Sequence, residues 1–310
     1  MDILRSIGIT EPVIQFMLVN GLLGLSIYLT LYTGMFSLAN AGFQAIGAFT
    51  AVILTQKLDQ PLLVGLIGGM LLSGIIALLV GLPVLRLRDI YLAIATIGFG
   101  EVVRILILNF DPLVSSIVGE RVVITEGALG IKRIPVLTET WMLVLFIVIA
   151  VYIIFRLHRS RFGRAMSAIR QDERVAANMG INVVYVKTTV FVLSAMLAAG
   201  AGGMSGHLTR IISPSSFDFD QAVNILAFAV LGGTSTLIGP IVGGIVLTGL
   251  PEVLRFANEY RGIINGAILL LVIVYLPGGL VNPAGWSRLF RRLRKIPEPA
   301  APSQPTNGQA

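Results

Sequence analysis

Long stretches of this chain carry no Asp, Glu, Lys or Arg, among them Pro12–Gln56, Gln60–Leu85, Thr188–Gly206 and Gln221–Pro251. A membrane-spanning helix needs about 20 mostly apolar residues. The first stretch therefore predicts two spans, near 13–33 and 40–55. The turn-like link Gly34–Asn40 separates them. Further spans are predicted at Gln60–Leu85, Ile90–Asn109, Trp141–Phe155 and Thr188–Gly206. Gln221–Pro251 has length for two short spans turning at Gly239-Pro240, and Gly262–Val281 makes a ninth. Residues 110–140, broken by Pro112, Gly127, Gly130 and Pro135, read as a loop. The short segments 40–55 and 221–237 also fit re-entrant helices, which puts the span count between eight and ten.

One polar island interrupts this pattern. Arg156–Lys187 holds seven basic residues against the acids Asp172 and Glu173. Its apolar residues recur at helical spacing over 164–179, with Ala165, Ile169, Ala176 and Met179 on one face. Gly180 suits the left-handed position that ends a helix, with Ile181 following it back onto Ala176 in a Schellman arrangement. Such a helix suits either a docking surface for a soluble protein or a stripe lying on lipid headgroups. The residues alone leave both open.

Composition agrees with the membrane class. The 310 residues are 55% hydrophobic and 13% charged, against roughly 25% charged in soluble domains. Mean hydropathy is +0.87. The net charge of +7 is carried by loops beside apolar runs, which argues for membrane orientation rather than nucleic acid. With the island and the tail in the cytoplasm, 14 Lys/Arg lie on that side and eight on the other, and Arg104 lies within a span. Nine spans then place the N-terminus outside. Ala39-Asn40-Ala41 has the form of a signal-peptidase site. The run from Pro12 outlasts a signal h-region of roughly 7–15 residues, so the first span is expected to be retained.

The sequence thus predicts an all-α polytopic membrane protein. Residues 1–286 form the transmembrane domain, 156–187 its cytoplasmic coupling loop, and 287–310 a basic, Pro-rich cytoplasmic tail. Four spans on each side of the long loop and span five enter from opposite sides, suggesting two inverted halves.

Candidate chemistry is sparse. Without cysteine, and with His158 in the basic loop and His207 at the opposite interface, no His- or Cys-based metal site is expected. Gly-Lys-Ser/Thr is absent, so no phosphate-binding loop for ATP is present. Glu101 and Arg104 share a helix face deep in a span, where ionisable groups are costly. They read as a structural pair or as a polar point near a permeation path. Gly65/Gly69, Gly202/Gly206 and Gly239/Gly243 have helix-packing spacing. Gly232-Gly233 also suits a helix break that shows backbone to a polar solute. Ser37, Asn40, Thr96, Thr234 and Ser235 are uncharged hydrogen-bonding groups able to hold a zwitterion, most of them near such breaks.

The island run Arg161-Phe-Gly-Arg-Ala-Met-Ser-Ala-Ile-Arg-Gln-Asp-Glu-Arg-Val-Ala-Ala-Asn-Met-Gly-Ile-Asn182 resembles the coupling segment of the branched-chain amino acid ABC permease family. In the same order, Gly34-Met-Phe-Ser-Leu-Ala-Asn-Ala-Gly42, the run Leu85–Glu101, Ile212-Ser-Pro-Ser-Ser-Phe217, Leu231-Gly-Gly-Thr-Ser-Thr-Leu-Ile-Gly-Pro240 and Leu276-Pro-Gly-Gly-Leu280 resemble that family, most nearly its second, M-type permease subunit.

The resemblance implies a non-enzymatic transport subunit in a prokaryotic cytoplasmic (inner) membrane. It implies a homologous permease partner, two cytoplasmic ATPases using ATP and Mg, and an extracytoplasmic solute-binding protein. It implies no cofactor on this chain. Coupling to the ATPases would fall to Arg164, Arg170, Asp172, Glu173, Ala176, Ala177 and Gly180. The substrate path would include Ser37, Asn40, Thr96, Glu101, Gly232, Gly233 and Thr234. Against the general importer signature Glu-Ala-Ala-x-x-x-Gly, Arg174 and Val175 stand where Glu and the first Ala are expected, and Glu173 is one place early. Implied substrates are branched-chain or other neutral amino acids, with urea or short amides as the alternative. An ion-coupled secondary transporter using Glu101/Arg104, or a passive channel, would work without ATPases.

Overall fold

The computed structural model describes residues 10–120, 123–253, 266, 270, 274 and 279–281. The expected ninth span, Gly262–Val281, lies largely outside these residues, and the 287–310 tail lies wholly outside them. Eleven α-helices account for most of the described chain. Five are long and apolar enough to cross a membrane: α1 (Glu11–Tyr32), α3 (Leu62–Val84), α4 (Asp89–Leu108), α6 (Thr140–Arg159) and α9 (Val183–Gly206). The protein is all-α and polytopic, as the pattern predicts.

The sixth long helix, α2 (Asn40–Lys57), has Asn40, Gln44 and Thr55 among its residues yet is the most enclosed, with 13 of its 18 residues buried. It packs between α3 and α9. A helix surrounded by protein can hold polar groups if they are paired. Asn40 Nδ2 donates to Ser26 Oγ at 2.8 Å and Ser194 Oγ at 3.1 Å, and Ser194 Oγ donates to the Ser26 carbonyl at 2.7 Å. This one cluster ties α1, α2 and α9 together.

Glycine sets the approach of these helices. A Cβ on Gly47 would lie 2.1 Å from the Ala199 carbonyl oxygen, and one on Gly202 would lie 2.0 Å from that of Gln44. The backbones of α2 and α9 are in contact. All three expected glycine pairs sit at such contacts: Gly65/Gly69 on α2, Gly202/Gly206 on α2, and Gly239/Gly243 on α10 (Phe219–Gly232).

The hydrogen bonds also show which helix ends lie together. At one end Tyr32, closing α1, meets Ser167 of α7 (Arg161–Gln171). α7 is followed by the short α8 (Glu173–Asn178), so this is the basic end. At the opposite end Gln15 and Glu11 of α1 meet Thr140, which opens α6. α1 therefore begins at the end away from the basic segment, the side expected for the N-terminus.

Several boundaries differ from the pattern-based ones. α6 runs on through Arg156, His158 and Arg159, because cations in a last turn complement the helix dipole. α9 begins at Val183, under an Asn182 cap, rather than at Thr188. Residues 110–140 are not all loop: Phe110–Val118 form α5. Pro112 sits in its first turn, where no amide is needed, and Gly119 closes it at φ 79°. The Asp111 carboxylate then holds the following chain, accepting from the Ile124 and Thr125 amides at 2.9 and 2.8 Å and from Thr125 Oγ1 at 3.1 Å. Beyond a 3-10 turn at Gly127–Leu129, the two-residue strand β1 (Ile131–Lys132) pairs antiparallel with β2 (Ile211–Ile212).

Gly239-Pro240 is not a turn. It opens α11 (Gly239–Val253), and the connection from α10 is 233–238. Proline fits a first helical turn, whereas the left-handed φ of 93° at Gly233 ends α10.

Candidate functional site

The basic segment is two helices, not the single one its periodicity suggests. Ser160 caps α7, its Oγ accepting from the Phe162 and Gly163 amides at 3.1 and 3.4 Å. Asp172 ends α7 in an extended conformation and caps α8, accepting from the Arg174 and Val175 amides at 2.8 and 3.0 Å. These backbone bonds, Val175 first and Arg174 second, hold its carboxyl below the ordinary range. A side chain that competes for backbone amides breaks a helix into capped pieces. α8 then ends as expected. Gly180 has φ 83°, its N–H bonds to the Ala177 carbonyl at 3.0 Å, and the Ile181 N–H bonds to Ala176 at 3.1 Å. This is the paired pattern of a Schellman ending.

The buried face is also shifted. Gly163, Met166, Ile169 and Ala176 are buried, while Met179 is 77% exposed and does not join them. The outward face carries Arg164, Arg170, Arg174, Val175, Ala177 and Met179.

Each half of the segment is fastened to a different span. α7 is held on α1 by the hydrogen bond between Ser167 and Tyr32 (3.0 Å), and Gly34, just beyond α1, lies against the Arg170 backbone. His158 also belongs here. It is not free in a loop but stacks on Tyr32 with ring centroids 4.2 Å apart. α8 is held on α9: Lys187 Nζ lies 2.8 Å from Glu173 Oε2, and Lys187 is buried. Lys187 is thus the tie-point of the segment rather than one of its solvent charges. Asp172 and Glu173 both have internal partners, while Arg164, Ala177 and Gly180 are exposed and Ala176 packs inward. The sequence signal for the Lys187 pair was a lone cation at the foot of an apolar span.

The other candidates fall at two breaks within the bundle. The first is the link 33–39. Asn40, which opens α2, reaches Ser26 of α1, six residues or roughly 9 Å inward from Tyr32. α2 therefore starts well inside the bundle. Thr96 of α4 accepts the Leu38 amide at 2.9 Å, and Ser37 Oγ accepts the Ala39 amide at 3.4 Å. Ser37, Asn40 and Thr96 are all buried.

The second break is 233–238. α11 runs antiparallel to α1, with Gly249 against Met17, Asn20 donating to Thr248 at 2.9 Å, and Pro240 against Gly24. Its start is thus level with Gly24, two residues from Ser26. The two breaks abut the same stretch of α1. Gly232 and Gly233 are buried, and Gly279–Val281 dock on them: the Leu280 and Val281 amides bond to the Leu231 and Gly232 carbonyls at 2.9 and 3.3 Å. Thr234 is partly exposed, Ser235 is exposed, and Thr236 Oγ1 is buried with no partner among the described residues. Sequence reasoning passed over Thr236, because nothing in its neighbourhood marks that hydroxyl as unpaired.

Glu101 pairs within its own helix. Arg104 forks onto it, with Nε 3.0 and 2.9 Å from the two carboxylate oxygens and Nη2 also donating. Their side chains are 43% and 27% exposed, though Glu101 is some 18 Å along α4 from Asp89. His207 is not interfacial but fully buried: Nδ1 donates to the Gly203 carbonyl and Nε2 meets Thr55 Oγ1, each at 2.8 Å.

Taken together, these features define a multi-pass helical membrane protein of the transport class. It has discontinuous helices inside the bundle and a helical segment outside it, fastened to two spans. Residues 9–273 match the family described as branched-chain amino acid transport system, permease component, and the chain belongs to that family. It is 33% identical over 84% of its length to the high-affinity branched-chain amino acid transport system permease protein LivM of Salmonella typhimurium, and 32% identical over the same share to LivM of Escherichia coli. The alignments cover 66% of each LivM protein, so the chain spans about two thirds of these relatives. LivH of Escherichia coli, the permease protein of the same named system, is 33% identical over 46% of this chain. No solved structure matches it significantly.

Proposed function

We propose that this chain is one of two homologous permease subunits of an ATP-driven importer for branched-chain or other neutral amino acids. It works in a prokaryotic cytoplasmic membrane with two ATPases inside and a solute-binding protein outside. The observation that carries the reading is the α7–α8 segment: a basic and apolar outward face on a pair of helices bolted to two different spans. The names of the LivM and LivH relatives support the substrate class and the second permease.

The contacts give a physical route for coupling. ATPases grip the face of Arg164, Arg170, Val175, Ala177 and Met179 near the Gly180 turn. A displacement of α7 acts on Tyr32 and Gly34, hence on the link carrying Ser37 and on the start of α2 at Asn40. A displacement of α8 acts through Glu173 and Lys187 on α9, which shares the Asn40–Ser194 contact. Both routes converge on the breaks beside Gly24–Ser26. Non-helical backbone is tolerated inside a membrane only when enclosed by protein or lining a wet cavity. Gly232, Gly233, Thr234 and Ser235 therefore mark the path, with Ser37, Asn40 and Thr96 behind it. The ATP cycle shifts the population between outward- and inward-open arrangements. An ion pair as deep and open as Glu101–Arg104 is not left to lipid. That face of α4, with Ile94, Gly98 and Ile105, is where the second permease closes the path.

Val175→Asp with Met179→Asp tests the docking face, since both side chains are exposed and neither supports the fold. The expected result is loss of co-purifying ATPases and of ATP-driven leucine uptake, with the permease pair still assembled. Unchanged ATPase association would overturn the assignment. Urea competing with labelled uptake while leucine does not would overturn the substrate class.

A further inference from the structure

Where the basic segment meets α1, three aromatic rings form a junction between helices. Tyr32 closes α1, and its ring stacks on the imidazole of His158 in α6, with centroids 4.2 Å apart and planes 21° apart. Its hydroxyl shares a hydrogen bond of 3.0 Å with Ser167 of α7. The guanidinium carbon of Arg170, in the last turn of α7, lies 6.0 Å from the Tyr32 ring centroid. Tyr28, one turn earlier in α1 and fully buried, sits 5.6 Å from both Tyr32 and His158. The start of α7 rests on the same residue: a Cβ on Gly163 would lie 2.3 Å from the His158 carbonyl oxygen. His158 therefore backs Tyr32 from α6 while α7 grips Tyr32 from its hydroxyl.

His158 is the one group of this junction that changes charge near neutral pH. An imidazole takes its second proton near pH 6.5, whereas tyrosine and arginine titrate far above. Its Nε2 is buried and has no hydrogen-bond partner among the described residues. In the neutral ring that nitrogen is free to be the bare acceptor. In imidazolium both nitrogens are donors, and a buried charge without an acceptor costs far more than a neutral atom.

The surrounding charges do not compensate. From α1 the ring is faced by Tyr28 and Tyr32. From α7, Arg170 lies over the same Tyr32 ring. On its own helix Arg159 is turned onto Phe155 at 4.3 Å, and Arg156 is exposed. The two acids of the segment are committed elsewhere, Asp172 to the amides of α8 and Glu173 to Lys187. Among the described residues no carboxylate lies within salt-bridge distance of His158. A proton on the imidazole would set a second cation against the ring that already faces Arg170, with no anion to answer it.

We propose that neutral His158 is a positioning residue for coupling, and that its protonation from the cytoplasmic side breaks the Tyr28–His158–Tyr32 stack and uncouples α7 from α1. The assignment rests on the importer reading above and adds a proton-sensitive element to its α7 route. Without the imidazole behind it, Tyr32 yields when α7 moves, and the displacement no longer reaches the link 33–39. The tie between Glu173 and Lys187 and the outward face with Val175 and Met179 are untouched. The ATPases therefore stay bound and continue to hydrolyse ATP while less substrate moves.

The test uses the full importer in proteoliposomes, with the ATPases facing the bath and the solute-binding protein and labelled leucine enclosed. Leucine released per ATP hydrolysed is followed as the bath alone is stepped from about pH 8 to about pH 5.5, a range that brackets imidazole titration. The wild-type ratio should fall several-fold while hydrolysis continues. His158→Phe keeps a flat ring with no titrating atom, so its ratio should stay near the wild-type value at about pH 8 and hold steady across the range. His158→Lys fixes a cation at the site and should be poorly coupled even at about pH 8, with the ATPases still co-purifying. A wild-type ratio that stays constant across the range would overturn the proposal without recourse to any variant. A fall in His158→Phe equal to that of the wild type would also overturn it, by placing the titrating group elsewhere. So would a His158→Lys variant as well coupled as the wild type. A wild-type complex that moves no leucine on ATP at about pH 8 would sink the importer reading, and the role of His158 with it.

Discussion

The Glu173–Lys187 pair shows how one contact changes the meaning of two residues. In the sequence Glu173 is an acid displaced by one place from a signature, and Lys187 is one more cation in a basic island. In the fold they neutralise each other across the junction of α8 and α9 at 2.8 Å. A buried lysine left without its carboxylate is destabilising, whereas the pair itself contributes little net stability. Its value lies in position. Lys187→Met should leave the ATPases bound and their hydrolysis running, but reduce substrate moved per ATP several-fold. The exchange Glu173→Lys with Lys187→Glu should recover much of that ratio. Equal losses of assembly and transport, with no recovery in the exchange, would make the pair a fold contact only. The sequence made both residues visible but not their pairing, because fourteen positions separate them and a capped break lies between.

Among the elements, the legible ones are those whose pattern is local. α1, α3 and α4 lie within two residues of their expected bounds, since an apolar run long enough to span must form a helix to satisfy its own backbone. The Gly180 ending was legible for a similar reason: only a left-handed residue closes that turn. The division of the basic segment at Asp172 was not, because apolar periodicity continues through a residue whose carboxylate has captured the next two amides. The packing of α2 against α9 is a further element-scale property. Gly202→Leu would drive a side chain into the Gln44 carbonyl, which a Cβ alone would approach to 2.0 Å. Overpacking of this kind typically costs about 1–3 kcal/mol and more where backbone is the obstacle. The expected outcome is a clearly lowered thermal unfolding temperature in detergent, read by intrinsic fluorescence. Gly98→Leu, where a Cβ meets nothing within 4 Å, should leave the isolated subunit unaffected.

On the scale of the whole molecule, the two breaks and the two ends form one arrangement. The basic segment lies at one end of α1, the start of α6 at the other, and the links 33–39 and 233–238 meet α1 between them. Ser235 stands exposed on the second link. In this cysteine-free chain, Ser235→Cys in the assembled importer should react with a small water-soluble thiol reagent. Its rate should differ between the nucleotide-free and ATP-trapped states, and substrate should protect it. Failure to react in any state would exclude 233–238 from the path.

The sequence by itself determined the solvent, the helix content and the place of the external segment. Each of these follows from runs of apolar residues and clusters of charge read over short distances. It also marked the chemistry-bearing stretches, since the links 34–42 and 231–240 stand out by their Gly, Ser, Thr and Asn. Only the tertiary structure decided that these links lie at the same depth on α1, that Asp172 and Glu173 are spent on internal partners, and that Tyr32, His158 and Arg170 from three helices share one junction. Those facts depend on helix backbones brought into contact by glycine and on side chains pairing across more than a hundred residues. No local pattern encodes such distances.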